Sequence, residues 1–220
     1  SIVHSRKITF IDTPGHEAFV KMRSRGANAA DVAVLVVAAN DGIMPQTIES
    51  LNHIKIANIP CVIALNKIDL PNINQYKIKK QLAKAGINLE EFGGETPLVP
   101  VSAKQGIGID KLLRAILLLS DLYGEKIPAS NKLSSVVVES SLSKKKGILA
   151  TVILRSGYIR VGDELVCENQ EFRVRALHDW NVNSVDRVSG GDPVEIMGWK
   201  TMPTVGSQVF QKNQIELAVK

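Results

Sequence analysis

The 220 residues are 45% hydrophobic and 22% charged, which suits one large globular domain or two small ones and excludes a disordered chain. The net charge of +5 fits a polyanionic partner such as RNA. No apolar run approaches the roughly 20 residues that cross a bilayer, so no membrane partner is expected.

The chain opens on Ser1, without Met and without a basic, apolar leader, so residue 1 reads as a truncation point in a longer protein. Lys7–Ile11 is a short strand candidate that ends at Asp12-Thr13-Pro14-Gly15-His16. Val32–Ala38, Cys61–Leu65 and Leu98–Val101 are further apolar runs. Runs this short and this β-branched suit strands of a parallel sheet buried on both faces. Helices fit between them. Pro45 suits a first helical position, with Ile48, Leu51 and Ile54 following on one predicted face. Ile78, Leu82 and Ala85 mark a second helix that stops at Gly86. Leu112, Leu113, Ile116 and Leu117 mark a third. Alternating strands and helices imply an α/β layer structure over residues 1–125.

Residues 126–134, which contain Pro, Ser and Asn with little periodicity, read as a linker. From residue 135 to 220 short strand candidates recur between Gly and Asn turns: Val136–Leu142, Ile148–Leu154, Glu164–Cys167, Phe172–Leu177, Val194–Met197 and Gln208–Phe210. That pattern predicts a small β-barrel. Cys61 and Cys167 lie in apolar runs without metal-type spacing and read as buried free thiols of a reducing compartment. His4, His53 and His178 have no metal-site spacing.

Three short motifs carry the chemistry, each after a strand, where open α/β sheets place their ligands. In Asp12-Thr13-Pro14-Gly15, an Asp at a strand end suits a magnesium ion held through water, and Gly15 lets a backbone N–H approach a terminal phosphate. The alternative is a plain Pro-Gly bend. In Asn66-Lys67-Ile68-Asp69, the Asp69 carboxylate matches two N–H donors of guanine, a pair that adenine does not present. Asn66 ties neighbouring loops and the Lys67 stem packs over the base; the alternative is a solvated turn. In Ser102-Ala103-Lys104, the Ala103 N–H would meet the guanine carbonyl. Together and in this order the motifs point to a GTPase. The phosphate-gripping sequence G-x-x-x-x-G-K-[ST] occurs nowhere in the chain. The expected fold is therefore a P-loop GTPase α/β domain, incomplete because the phosphate-loop strand is missing, followed by a small β-barrel.

The runs DTPGHEAFVKMRSRGA, DVAVLVVAANDGIMPQTIES and NKID, with Glu91-Phe92-Gly93-Gly94-Glu95, closely resemble bacterial-type translation initiation factor 2. Asn40 stands where that family leads one to expect Asp. The resemblance implies a translation initiation GTPase that binds GTP and Mg2+, promotes initiator tRNA placement and subunit joining, and hydrolyses GTP on the ribosome. It assigns nucleotide contacts to Asp12, Thr13, Pro14, Gly15, Asn66, Lys67, Asp69, Ser102, Ala103 and Lys104. It gives magnesium to Asp12, and orientation of the attacking water to His16. Initiator tRNA would be met by domains outside this sequence, ribosomal RNA by the ribosome-bound factor. The fragment alone is expected to be inactive. An elongation-factor-type GTPase and a non-catalytic module that docks on ribosomal RNA are the competing readings. The resemblance places the protein in a bacterial cytoplasm, and the frequent Ile, Lys and Asn at tolerant positions also fit a plastid stroma. Lys144-Lys145-Lys146 reads as a basic turn, either RNA-contacting or merely solvated. Lys77, Lys79, Lys80 and Lys84 read as the outer face of a helix, and Trp180 and Trp199 as barrel packing or loop anchors.

Overall fold

The computed structural model describes residues 2–3, 6–13, 30–124 and 132–213. They fall into two compact units, Asp12–Glu125 and Ser1–Ile11 with Lys126–Lys220. The residues Pro14, Gly15 and His16, and most of the expected linker, lie outside the described residues.

The first unit holds three parallel strands, β3 (Ala33–Ala38), β4 (Cys61–Asn66) and β5 (Leu98–Pro100), in that spatial order. β4 is central, and Val62, Ile63, Ala64 and Leu65 are all buried. Because successive side chains alternate between faces, β4 feeds two cores at once. Ile63 and Leu65 join Leu35 and Val37 of β3 under two helices, α1 (Pro45–Ala57) and α2 (Gln75–Lys84). Val62 and Ala64 join Val99 under the third helix, α3 (Ile109–Tyr123). β3, at the sheet edge, is covered less well: Val36 is 60% exposed.

The helices start and stop as local chemistry dictates. Pro45 is the first residue of α1, where its missing N–H costs nothing. The buried pair of α1 is Thr47 and Leu51, whereas Ile48 is 47% exposed. Of the expected Ile48–Leu51–Ile54 stripe, Leu51 and Ile54 pack into the core and only Ile48 departs. Steps of three residues drift around a 3.6-residue helix, while Thr47 and Leu51 are four apart. The Asn74 side chain caps α2 by accepting from the Lys77 N–H, Ile78 and Leu82 are buried, and Gly86 follows in the left-handed region. Lys77, Lys80 and Lys84 are exposed, and Lys79 pairs with Glu91.

The second unit is a curled antiparallel sheet of eight strands. It contains β6 (Ser134–Ser143), β7 (Gly147–Ser156), β9 (Glu164–Cys167), β10 (Gln170–Arg173), β11 (Ala176–His178), β12 (Ser184–Val185), β14 (Pro193–Met197) and β15 (Gln208–Gln211). β8 (Tyr158–Arg160) and β13 (Arg187–Ser189) form a separate pair. Their Ile159 and Val188 nevertheless join the same core as Val152, Leu165, Leu177, Ile196 and Val209. The expected strand Phe172–Leu177 is two strands, interrupted where the Val174 and Arg175 N–H groups bond to Asp163 and Met197. Trp199 is buried, stacks on Phe172 at 4.0 Å and donates its ring N–H to the Ile196 carbonyl. Trp180 is 76% exposed, so of its two expected roles, barrel packing or loop anchor, barrel packing falls away. Asp179 instead closes the loop that carries it, accepting from the Asn181 and Asn183 N–H groups. Lys144–Lys146 form the exposed turn between β6 and β7, where the Ser143 hydroxyl accepts from the Lys146 N–H.

The amino-terminal segment departs from expectation. Ile2–Val3 (β1) and Arg6–Lys7 (β2) form an antiparallel pair, and Ile8–Thr13 is not a strand. A strand needs a ladder partner for its backbone polar groups. Among the described residues, β3 has β4 on one side and no strand on the other. Within its own unit, Lys7 pairs with Asp192 and the Thr9 hydroxyl donates to the Gly191 carbonyl.

Both thiols are free. Burial pushes the Cys61 thiol up to about 12 and that of Cys167, beside the Glu168 charge, up to about 11, so both stay protonated and inert at neutral pH. No helix among the described residues is long and apolar enough to cross a membrane.

Candidate functional site

The carboxyl ends of β3, β4 and β5 lie side by side, because Ala38 pairs with Asn66 and Leu65 with Pro100. The loops that leave these ends carry the second and third motifs. Asn66 closes β4, and its carbonyl accepts from the Ala39 N–H. Its side-chain oxygen accepts from two backbone donors, the Lys67 N–H at 2.7 Å and the Ala103 N–H at 3.0 Å. One amide thus fastens the loop after β4 to the loop after β5. Ala103 spends its N–H on Asn66 here, so a base carbonyl would have to share that donor or displace the bond.

The second fastening is between side chains. The Ser102 hydroxyl donates to Asp69 Oδ1 at 2.7 Å and accepts from the Gln105 N–H. Ser102 is fully buried, so its hydroxyl is committed to this work. The bond holds the Asp69 carboxyl below its ordinary value, helped by its own backbone N–H and the Lys104 charge and opposed by burial. Asp69 is therefore an anion at neutral pH, partly buried and an acceptor only. That chemistry suits a ligand with adjacent N–H donors.

Local geometry supports both loops. Ser102 and Ile107 exchange backbone hydrogen bonds and close a tight turn. Gly108 precedes α3 with φ +77°, and a Cβ there would lie 2.3 Å from the Pro100 carbonyl oxygen. Only glycine lets α3 begin this close to β5. Lys67 has φ +65°, a left-handed backbone that is uncommon for a residue with a side chain. The Lys67 ammonium lies 3.3 Å from Asp41 Oδ2, and Asn40 Nδ2 donates to Asp41 Oδ1 at 2.6 Å.

The structure therefore brings Asn66, Lys67, Asp69, Ser102 and Ala103 together and leaves Lys104 exposed beside them. Asp12 is exposed and Thr13 partly buried, both in irregular backbone. The expected phosphate and water contacts Pro14, Gly15 and His16 lie outside the described residues. The described residues contain no group of His, Cys, Asp or Glu that could by itself hold a metal ion. Asp41 lies outside the three sequence motifs. Its signal was the Asp-Gly turn right after an apolar strand, with Gly42 at φ +72°.

Residues 2–121 match the Elongation factor Tu GTP binding domain, and residues 132–212 match Elongation factor G domain 2. The translation initiation factor IF-2 of Thermotoga sp. (strain RQ2) is 47% identical over 98% of this chain and 31% of its own length. That of Aquifex aeolicus is 46% identical over 93% of this chain and 26% of its own length. The chain thus spans about a third or less of the curated relatives it matches. Among solved structures, GDP-bound aIF5B from Aeropyrum pernix is similar at 25% identity and a TM-score of 0.76, over 89% of this chain and 42% of that one. The bacterial selenocysteine-specific elongation factor EF-Sec is similar at 27% identity and a TM-score of 0.68, over 90% and 34%.

Proposed function

Because the chain belongs to the Elongation factor Tu GTP-binding domain family, we propose that it is part of a translation initiation GTPase whose base-recognition site is built by Asn66, Lys67, Asp69, Ser102 and Ala103. The observation that carries this reading is the double fastening, Asn66 to Ala103 and Ser102 to Asp69, at the carboxyl edge of the sheet. It holds one ionised carboxylate in a fixed place, as base discrimination requires. Identity of 47% to an IF-2 over nearly the whole chain supports initiation over elongation, as does the higher TM-score to an initiation factor.

In the complete protein, Asp69 accepts the paired N–H donors of guanine and the Lys67 stem covers the base. Asp12 would hold the magnesium ion, which supplies charge neutralisation at the phosphates. Pro14 and Gly15 would lie against the terminal phosphate, and His16 would orient the attacking water. Positioning and electrostatics account for most catalysis of this kind. The ribosome is the partner that triggers hydrolysis, and initiator tRNA is met by parts of the protein outside this sequence. The compartment is a bacterial cytoplasm or a plastid stroma.

Base recognition is tested in the full-length protein with Asp69→Asn. Xanthine carries a carbonyl where guanine carries an amino group, so the new amide should shift preference from GTP toward xanthosine triphosphate. An unchanged preference for guanine in a competition assay would refute the site.

A further inference from the structure

We propose that Asp41, braced by Asn40, is a positioning residue that holds Lys67 against the bound base and slows nucleotide release. This rests on the guanine-site reading above. Lys67 is held at three points. Its backbone is in the left-handed region, its N–H is bonded to Asn66, and its ammonium meets Asp41. A lysine fixed only by an exposed ion pair would swing freely. Here the strained backbone aims the stem and Asp41 catches its far end.

Asp41 is itself fixed. Its N–H and that of Gly42 both donate to the Ala38 carbonyl, in a turn at the end of β3. Asn40 Nδ2 occupies Oδ1, which leaves Oδ2 toward the Lys67 ammonium. Aspartate at position 40, which the family resemblance leads one to expect, has no such donor and would set a second negative charge beside Asp41. Asn40 therefore reads as an orienting residue. β3 and β4 are neighbours in the sheet, so the chain Asn40–Asp41–Lys67 crosses the same edge that carries Asp69.

Magnitude bounds the effect. Both side chains are 47% exposed, and exposed ion pairs are worth little, so Asp41→Asn should speed nucleotide release by only about two- to fivefold. The experiment follows release of a fluorescent GDP analogue from the full-length protein in wild type, Asp41→Asn, Lys67→Ala and the double variant. The expected result is faster release in Asp41→Asn, no further effect of that change once Lys67 is Ala, and near wild-type release in Asp41→Glu. The Asp41→Asn effect should shrink as salt rises, because the pair is solvent-exposed. A merely structural aspartate would act equally with or without Lys67 and independently of salt. Either that additive pattern or unchanged release overturns the proposal. Failure of the guanine reading would register separately, as unchanged base preference in Asp69→Asn.

Discussion

Ser102, fully buried behind β5, donates its hydroxyl to Asp69 Oδ1 across the carboxyl edge of the sheet. The residue that would touch the base is thus oriented by one that is out of solvent's reach. The bond also biases Asp69 toward its ionised form, because a hydroxyl donor stabilises the carboxylate over the acid.

Ser102→Ala should therefore raise the Asp69 pKa toward the ordinary carboxylate value of about 4. The sign follows from linkage. A carboxyl depressed in the folded state stabilises the fold above its unfolded pKa and loses that contribution as pH falls through the folded pKa. The wild type should keep this contribution to lower pH than the variant. Carbon NMR titration of the Asp69 carboxyl reads the difference, and coincident titration curves would remove Ser102 as its cause.

The 220-residue chain should turn over GTP poorly or not at all. It contains no G-x-x-x-x-G-K-[ST], whose backbone N–H groups and lysine hold phosphates. Phosphate release by the purified chain at the rate of a complete factor would falsify this.

His16→Ala in the full-length protein should slow ribosome-triggered hydrolysis strongly and leave GTP affinity nearly unchanged. A residue that orients water acts on the transition state and little on the bound ground state. Single-turnover hydrolysis and equilibrium binding separate the two. Collapsed affinity with an unchanged hydrolysis step would make His16 structural.

Hydrogen exchange should be uneven along β3. The Ala33 N–H donates to Pro60 and the Ala39 N–H to Asn66, so ladder alternation turns the odd-numbered amides toward β4. Leu35 and Val37 amides should exchange slowly, and those of Val34 and Val36 faster. The core strands β7 and β14 should exchange slowest, since Val152, Leu154, Val194 and Ile196 are buried and β7 and β14 each have neighbours on both sides. Equal protection of odd and even amides in β3 would show that its outer edge is covered.

Much of this molecule was legible in the residues themselves. Cys61–Leu65 announced a strand buried on both faces, because a short unbroken apolar run has no polar side to give to water. Pro45 and Gly86 marked helix ends through local backbone chemistry that needs no tertiary partner. The order of the three motifs, each after a strand, pointed to the edge where a ligand would bind. Tertiary structure alone decided the rest. Lys7–Ile11 has a strand's composition, yet a strand exists only where a neighbour completes its ladder, and Thr9 found the Gly191 carbonyl instead. Trp180 and Trp199 look alike in sequence. One stacks on Phe172 and the other stands in solvent, because burial depends on what the chain brings opposite each ring. The bonds that join Asn66 to Ala103, Asp69 to Ser102 and Lys67 to Asp41 span 37, 33 and 26 residues. No local pattern encodes such pairings; they arise when parallel strands align their carboxyl ends.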